Sequence, residues 1–410
     1  MWHYIDELKE GLAIAFQAIR ANKMRSALTT LGIVIGIVSV TLMGTAIEGL
    51  NRAFNSSIAK IGADVLYIEK WPWGGGGDWW VIRNRPDIKI QQAKALEKQA
   101  QSVSSVSPVT GTLRNVKYGN KVIENVTIIG TNADFLSTSN VGVDFGRFMT
   151  QQEADGGRPV CAIGSDVAEN LFPSESPLGK VIKIGNYPYR VLGVLEKQGN
   201  FLGMQSLDNR LYLPIGRFFK EFKGRHGGGI SIMAKASSLV GLDETKEEIR
   251  GIMRKVRKVS PRQDDNFAIN QQEILVQTFN TIGGVIAAVG LFITGLALFV
   301  GGIGIMNIMF VSVTERTKEI GIRKAIGAPR RTILAQFLME SAALCLIGGL
   351  IGVAIAFPLS LIIDQVLPTA MPISVVAIAL LVSVLVGVIS GLLPAYRASR
   401  LDPVDALRYE

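Results

Sequence analysis

Residues 283–310 read GGVIAAVGLFITGLALFVGGIGIMNIMF, residues 315–331 read ERTKEIGIRKAIGAPRR and residues 341–363 read SAALCLIGGLIGVAIAFPLSLII. Two apolar runs flank a compact segment with six basic residues and two acidic ones. Crossing a bilayer takes about 20 apolar residues, so each flank is long enough to span. A connecting loop could be built from Gly, Ser and Asn; this one is charged and interleaved with isoleucine.

Working outward, two further runs qualify. No residue is charged between Arg25 and Glu48, nor between Asp364 and Arg397. The fold class is therefore a membrane protein of four transmembrane helices, with a large mixed α/β extracytoplasmic domain inserted between the first and second. The expected division is a cytoplasmic interfacial helix over 1–26 and a first span over 27–50. An extracytoplasmic domain with stalk ends follows over 51–279, then a second span over 280–312. A cytoplasmic segment over 313–332 leads to a third span over 333–363, a short external loop over 364–373, a fourth span over 374–396 and a cytoplasmic tail over 397–410.

Short loops rich in Lys and Arg stay on the cytoplasmic side. Lys23 and Arg25 precede the first span, Arg316, Lys318, Arg323, Lys324, Arg330 and Arg331 follow the second, and Arg397, Arg400 and Arg408 follow the fourth. The loop DQVLPTAMP (364–372) has no basic residue. Both termini and the segment at 313–332 are thus expected inside, and the long insert outside. Ile5, Leu8, Leu12, Phe16 and Ile19 share one face of a helix, which suits either the membrane interface or a partner protein.

The formal charge of +9 does not announce nucleic acid. The 51–277 region holds 30 Lys and Arg against 23 acids, spread along its length and unaccompanied by any nucleic-acid motif. Its densest part, IRGIMRKVRKVSPR (249–262), reads as a solvated helix face or as a surface for headgroups or an acidic partner. With only Cys161, Cys345, His3 and His226 available, no zinc cage is expected. The phosphate-cradling, zinc-hydrolase and serine-elbow motifs are all missing, so no catalytic residue, cofactor or metal is assigned to the chain. Glu340, at the edge of the third span, is expected to cap a helix end or pair with an arginine.

Small residues four apart, Gly32 with Gly36, Gly348 with Gly352 and Gly387 with Gly391, allow close helix packing, within the chain or with a second copy. In the insert, 63–70 and 125–130 alternate like strands, 181–196 reads as a hairpin about Gly185–Asn186, and 90–103 and 242–256 read as helices. Segments 48–62 and 271–284 have helical spacing that prolongs the first two spans outward, as a stalk. The stretch WPWGGGGDWW (71–80) reads as a glycine loop. Its Trp71, Trp73, Trp79 and Trp80 either pack back on the domain or meet lipid, cargo or a partner.

TERTKEIGIRKAIGAPRRTILAQFLMES (314–341) resembles the signature of the MacB/FtsX-like superfamily of ABC transporter permeases. NKMRSALTTLGIVIGIVSV resembles that family's first span, GRFMTQQEADGGRPVCAIGSDVAENLFPSESPLGKVIKIGNYPYRVLGVL its periplasmic core domain, and GLLPAYRASRLDPVDALRYE its carboxyl terminus. The resemblance implies that 315–326 is a coupling element docking on an ATP-hydrolysing subunit. Glu315, Arg316, Glu319, Arg323 and Lys324 would offer charge to a polar groove. Ile320, Ile322 and Ile326 would supply an apolar anchor around Gly321, and Gly327–Ala328–Pro329 would end the helix.

By the same resemblance the protein is a homodimeric, multi-pass permease of the bacterial inner membrane in a type VII system, working with two copies of an ABC ATPase that binds ATP and Mg. Because the chain starts 26 residues before the first span, the ATPase is expected on a separate polypeptide. Two outputs stand open. One is export of a drug, peptide or lipidated molecule through a periplasmic adaptor and outer-membrane duct. The other is FtsX-like control of a cell-wall hydrolase or sensor, without cargo.

Overall fold

The computed structural model describes residues 23–59, 61–201, 205–223, 229–239, 241–364, 369 and 371–407. The interfacial helix expected over 1–26 falls outside them except for its last residues, as do 365–368 and 370 of the external loop. Chain contacts divide into two units, one holding Ile282–Glu410 with the chain up to Arg52, the other Ala53–Thr281.

The first apolar run lies in α1 (Lys23–Ile58), which continues past Arg52 into the second unit. There follow β1 (Val65–Glu69), α2 (Trp79–Arg83), α3 (Ile90–Gln99), β2 (Val103–Tyr118) and β3 (Lys121–Thr131). Next come α4 (Phe135–Ser139), β4 (Val143–Gly146), α5 (Gln151–Asp155), β5 (Val160–Ile163), α6 (Ser165–Leu171), β6 (Val181–Ile184) and β7 (Tyr187–Leu195). A small pair, β8 (Asn200–Phe201) and β9 (Gln205–Ser206), precedes β10 (Arg210–Pro214), α7 (Ile215–Phe218), β11 (Ser231–Ala236), α8 (Leu242–Val256) and β12 (Ala268–Asn270). The expected strands, hairpin and helices are all present.

Ten strands form one mixed sheet in the order β12-β1-β11-β2-β3-β10-β5-β7-β4, with β6 pairing both β2 and β7. The long β2 joins two halves, pairing β11 through Val103–Val109 and β3 through Thr110–Tyr118. Over the first half, α3 and α8 bury Leu96, Ile249 and Met253 against Leu66, Ile68 and Ile232. The buried positions of α8, Thr245, Ile249 and Met253, recur every four residues, which is what gives this helix its single apolar face. Over the second half, Ile128, Ile163, Leu171, Ile182, Tyr189 and Phe218 form another core. Each large apolar side chain so buried contributes about 1.5–3 kcal/mol.

The basic stretch at 249–262 divides: Lys255, Lys258 and Arg262 are exposed, while Arg250, Arg254 and Arg257 are tied to the fold. Arg254 pairs with Asp265 at 2.5 Å, and Arg257 donates to Asn266 and to the Pro86 carbonyl. These arginines brace the end of α8 against the strands beside it.

Outside the spans, Glu153 is a firmly held carboxylate. It caps α5 reciprocally with Thr150, and Arg147 grips it at 2.6 and 2.8 Å. The Arg147 guanidinium first, and the Thr150 backbone after it, lower its pKa from 4.5 to about 2. A depressed folded-state pKa gives stability that is complete above the unfolded value and lost as pH falls toward the folded one. Thermal stability of this unit should therefore decline between pH 4.5 and about 2. The loss should be about 2 kcal/mol, allowing for screening at the half-exposed Arg147. Glu153→Gln should flatten that decline; an unchanged slope in the variant would show that other carboxylates set it.

The unit's last helical stretch opens α9 (Gln272–Glu315), 44 residues long. Near the unit's edge Phe54 of α1 stacks on Phe279 of α9, ring centroids 3.8 Å apart and 9° from parallel. Both outward extensions expected from the sequence are thus helical and in contact.

In the other unit, α9 is followed by α10 (Thr317–Ala325), α11 (Arg330–Asp364), α12 (Ile373–Arg400) and α13 (Pro403–Leu407). Among the described residues four helices, α1, α9, α11 and α12, are long and apolar enough to cross a membrane. Glycines set their spacing within the chain. A Cβ on Gly32 would lie 3.0 Å from the Gly301 backbone, one on Gly352 3.0 Å from Ile37, and one on Gly387 2.7 Å from the Ser341 carbonyl. Gly36 faces Leu298, Gly391 faces Ser341, and Gly348 is buried on α11. Small residues let the backbones come this close where lipid supplies no hydrophobic drive. Cys161 and Cys345 are free, buried thiols, one in each unit.

Candidate functional site

The α9 helix ends at Glu315, and the single residue Arg316 turns the chain into α10. Thr317 holds the turn by donating to the Val313 carbonyl at 3.0 Å. At the far end, Gly327 adopts φ +101°, where residues with a side chain are strained. Its N–H donates to Lys324 O at 3.0 Å, and that of Ala328 to Arg323 O at 3.0 Å. Those two bonds make a Schellman cap, which satisfies the last carbonyls, and Pro329 then bars continuation. The nine-residue helix is therefore bounded by its own sequence at both ends.

Its two faces differ. Inward, Ile320 is 2% exposed and lies in one core with Val313, Ile333 and Phe337. Gly321 sits against α13, where a Cβ would come within 2.7 Å of Ala406. Lys324 donates to the Leu401 carbonyl, and burial, then the nearby Arg330, hold its ammonium pKa below the ordinary lysine value. Arg323 is braced by Glu319 at 2.5 Å and Gln336 at 2.7 Å. Arg316 reaches across to Glu340 at 3.3 Å, and Glu340 is only 3% exposed on α11. That pairing is one of the two roles expected for Glu340.

Outward, Ile322 is 45% exposed and Ile326 83%. With the exposed Lys318 and Ala325 they form a stripe at helical spacing, flanked by the exposed Glu315, Arg330 and Arg331. The nine residues that the sequence groups as one docking element thus divide. Ile322 and Ile326 face solvent, Ile320 and Gly321 belong to the chain's own bundle, and Arg316, Arg323 and Lys324 have partners within the chain. Sequence reading missed the contribution of α13, whose Ala406 and preceding Leu401 seat the helix. The only cue was a small residue in a short apolar tail.

The tryptophans divide similarly. Trp73 packs on Tyr67 at 4.8 Å and donates from its indole nitrogen to Glu69 at 2.8 Å. Trp71, Trp79 and Trp80 are exposed.

Two family models match the chain: the MacB-like periplasmic core domain over residues 26–252 and the FtsX-like permease C-terminal region over residues 291–403. The macrolide export ATP-binding/permease protein MacB of Bdellovibrio bacteriovorus is 34% identical over 409 residues, covering 99% of this chain and 62% of that protein. The pyoverdine export ATP-binding/permease protein PvdT of Pseudomonas aeruginosa is 32% identical over 404 residues, covering 98% of this chain and 59% of that protein. The chain thus spans about three fifths of the length of these relatives. Among solved structures, the periplasmic region of MacB from Actinobacillus actinomycetemcomitans aligns with 54% of this chain and 95% of its own, at 22% identity and a TM-score of 0.45.

Proposed function

The chain belongs to the permease family that joins a MacB-like periplasmic core domain to an FtsX-like C-terminal region, a multi-pass protein of the inner membrane, and from that premise we propose that it is the permease of an ABC export system. In this reading ATP and Mg are handled by a partner ATP-hydrolysing module, present twice in a complex built on two copies of the permease. The observation that carries the reading is the two-faced α10. One face is fixed to the bundle through Ile320, Gly321 and Lys324, while Ile322 and Ile326 stand free to anchor a partner. A helix held in this way passes on displacement instead of absorbing it.

The lever is α9. Its 44 residues run without interruption from beside β12 to the α10 turn, about 66 Å at 1.5 Å per residue. Movement imposed on α10 from the cytoplasm would reach the external domain along this rod and along its contact with α1. Coupling of two distant sites requires such an element with two positions. Export, through an adaptor and an outer-membrane duct, is favoured over control of a hydrolase, because the relatives named above are export proteins. The cargo would be a drug-like, peptide or lipidated molecule.

Cysteine labelling tests the arrangement. Asn186, exposed at the β6–β7 turn, and Lys318, exposed on α10, are suitable sites, whereas Thr317 is buried. The native Cys161 is buried, which raises its thiol pKa, and Cys345 is buried too, so background reaction should be low. Asn186→Cys should react with an impermeant thiol reagent on intact spheroplasts, and Lys318→Cys only after the membrane is opened. Reaction of Lys318→Cys from outside would remove the docking site from the cytoplasm and end the proposal.

A further inference from the structure

A cleft of about 480 Å³ opens within the Ala53–Thr281 unit. Its apolar wall is made by Val160 of β5, Val181 of β6, and Pro188 and Leu192 of β7. Arg147, Arg158 and Arg190 line it as well. That volume falls inside the range of about 300–1,000 Å³ usual for small-molecule sites.

Strand alternation decides which side chains face the cleft. Ile182, Ile184, Tyr189 and Val191 belong to the core of this half of the sheet, so Val181, Arg190 and Leu192 stand on the opposite face. Main-chain bonds then fix where the arginines begin. The Arg190 N–H donates to the Pro159 carbonyl at 2.9 Å, which ties β7 to the residue that follows Arg158. The Arg158 N–H donates to the Glu153 carbonyl at 3.1 Å, and the Arg147 N–H to the Leu192 carbonyl at 3.2 Å. Positions 190 and 192 lie about 7 Å apart along the strand. All three arginines are therefore rooted in ordered backbone around one opening.

Their charges differ in standing. Arg147 is matched by Glu153, the carboxylate of the lining, which it grips at 2.6 and 2.8 Å. Arg158 and Arg190 are exposed and, among the described residues, take no part in an ion pair. On the same face as Val181 and Arg190, Lys117 of β2 stands directly opposite Lys183 of β6. Both lysines are exposed and, among the described residues, neither pairs with a carboxylate. Like charges so placed destabilise a sheet, and an anion shared between them removes that cost. A guanidinium fork matches a carboxylate or phosphate with two parallel bonds, and the apolar wall beside it suits an uncharged body.

We propose that this cleft binds a small amphiphilic oxyanion. Arg158 and Arg190 hold its carboxylate or phosphate head, and Val160, Val181 and Leu192 meet its apolar body. Arg147, locked by Glu153, closes the third side without adding free charge. Lys117 and Lys183 draw the anion to this face of the sheet. The site lies within one unit and does not rest on the export reading or on α10.

Calorimetric titration of the full chain in phosphatidylcholine nanodiscs, free of detergent, tests this. The probes are phenyl phosphate and benzoate, with inorganic phosphate as head without body and phenol as body without head. At least one of the first two should bind saturably, and their ratio assigns the head group. Inorganic phosphate and phenol should each bind at least tenfold more weakly. Arg158→Gln and Arg190→Gln should each weaken the better probe by about tenfold or more, as for the loss of a charged hydrogen bond. Both side chains are exposed, so the unfolding temperature should stay native. Arg190→Lys, which keeps the charge and loses the fork, should fall between the native chain and Arg190→Gln. Inorganic phosphate binding as tightly as phenyl phosphate would reduce the cleft to a patch of surface charge. Equal affinity in the native chain and both Gln variants would place the probe elsewhere, and no saturable binding of either probe would leave the cleft without this ligand. Each of these three results overturns the proposal, and none bears on the docking of α10.

Discussion

Replacing Ile322 and Ile326 together with Asp should strip the ATP-hydrolysing partner from the purified permease. Both side chains project from α10 and neither contributes to the bundle core. The change therefore removes apolar anchors and introduces charge without touching what seats the helix. A buried anchor at an interface hot spot is worth about 2–4 kcal/mol, so two of them should lower affinity by a hundredfold or more. The quantity to measure is ATPase activity per mole of permease after affinity purification, beside the permease's own thermal stability. Activity should fall to background with stability unchanged. Retention of the native ratio would leave α10 as a charged connection, and the proposed coupling would lose its cytoplasmic end. Charge reversal at Arg323 or Lys324 is a poorer probe. Lys324 bonds the Leu401 carbonyl and Arg323 pairs with Glu319 and Gln336, so reversal would loosen the seat as well as the docking face.

Arg316→Ala should be among the most destabilising single changes in the membrane unit. It strands Glu340, which is 3% exposed within α11 and has Arg316 as its salt-bridge partner. Removing one member of a buried ion pair costs about 3–5 kcal/mol, because the remaining charge is left without its counterpart in a poorly polarisable surrounding. The expected result is a large drop in the unfolding temperature of the detergent-solubilised protein. Combining Arg316→Ala with Glu340→Gln should recover most of it, since a neutral amide has far less solvation to lose. Unfolding of the single variant at the native temperature would show that Glu340 finds water or another donor there. The pair also matters for function, since Arg316 is the one residue between α9 and α10. If it fixes the angle at which the lever meets the docking helix, the single variant should lose coupled ATPase activity beyond what its stability explains.

Much of this molecule is written in linear order. Spans appear as uncharged runs because a backbone in lipid must satisfy its own hydrogen bonds, and only a helix of apolar residues does so locally. The sidedness proposed above rests on the contrast between the basic residues from Arg316 to Arg331 and the uncharged-to-acidic DQVLPTAMP, a bias that acts during insertion, before any packing exists. The limits of α10 are equally local: Gly327 supplies the positive φ of the cap, and Pro329 forbids another turn. The helices over 242–256 and 272–315 announce themselves through period and length.

What the sequence could not assign is which way each side chain of α10 and of the tryptophan loop faces. Three isoleucines within seven residues look equivalent until Phe337 and Ile333 arrive from α11 to cover Ile320 and leave Ile322 and Ile326 bare. Lys324 reads as free charge until the Leu401 carbonyl, 77 residues away, accepts a hydrogen bond from its ammonium. Gly321 is an ordinary glycine until Ala406 occupies the space its side chain would need. Trp73 and Trp80 are likewise alike in sequence, and only Glu69, Tyr67 and Asn270 turn the first inward. Local sequence determined where the chain crosses the membrane and where each helix stops, because backbone hydrogen bonding and solvation act residue by residue. Tertiary structure alone decided which residues remain for a partner, because exposure is a property of what packs from elsewhere in the chain.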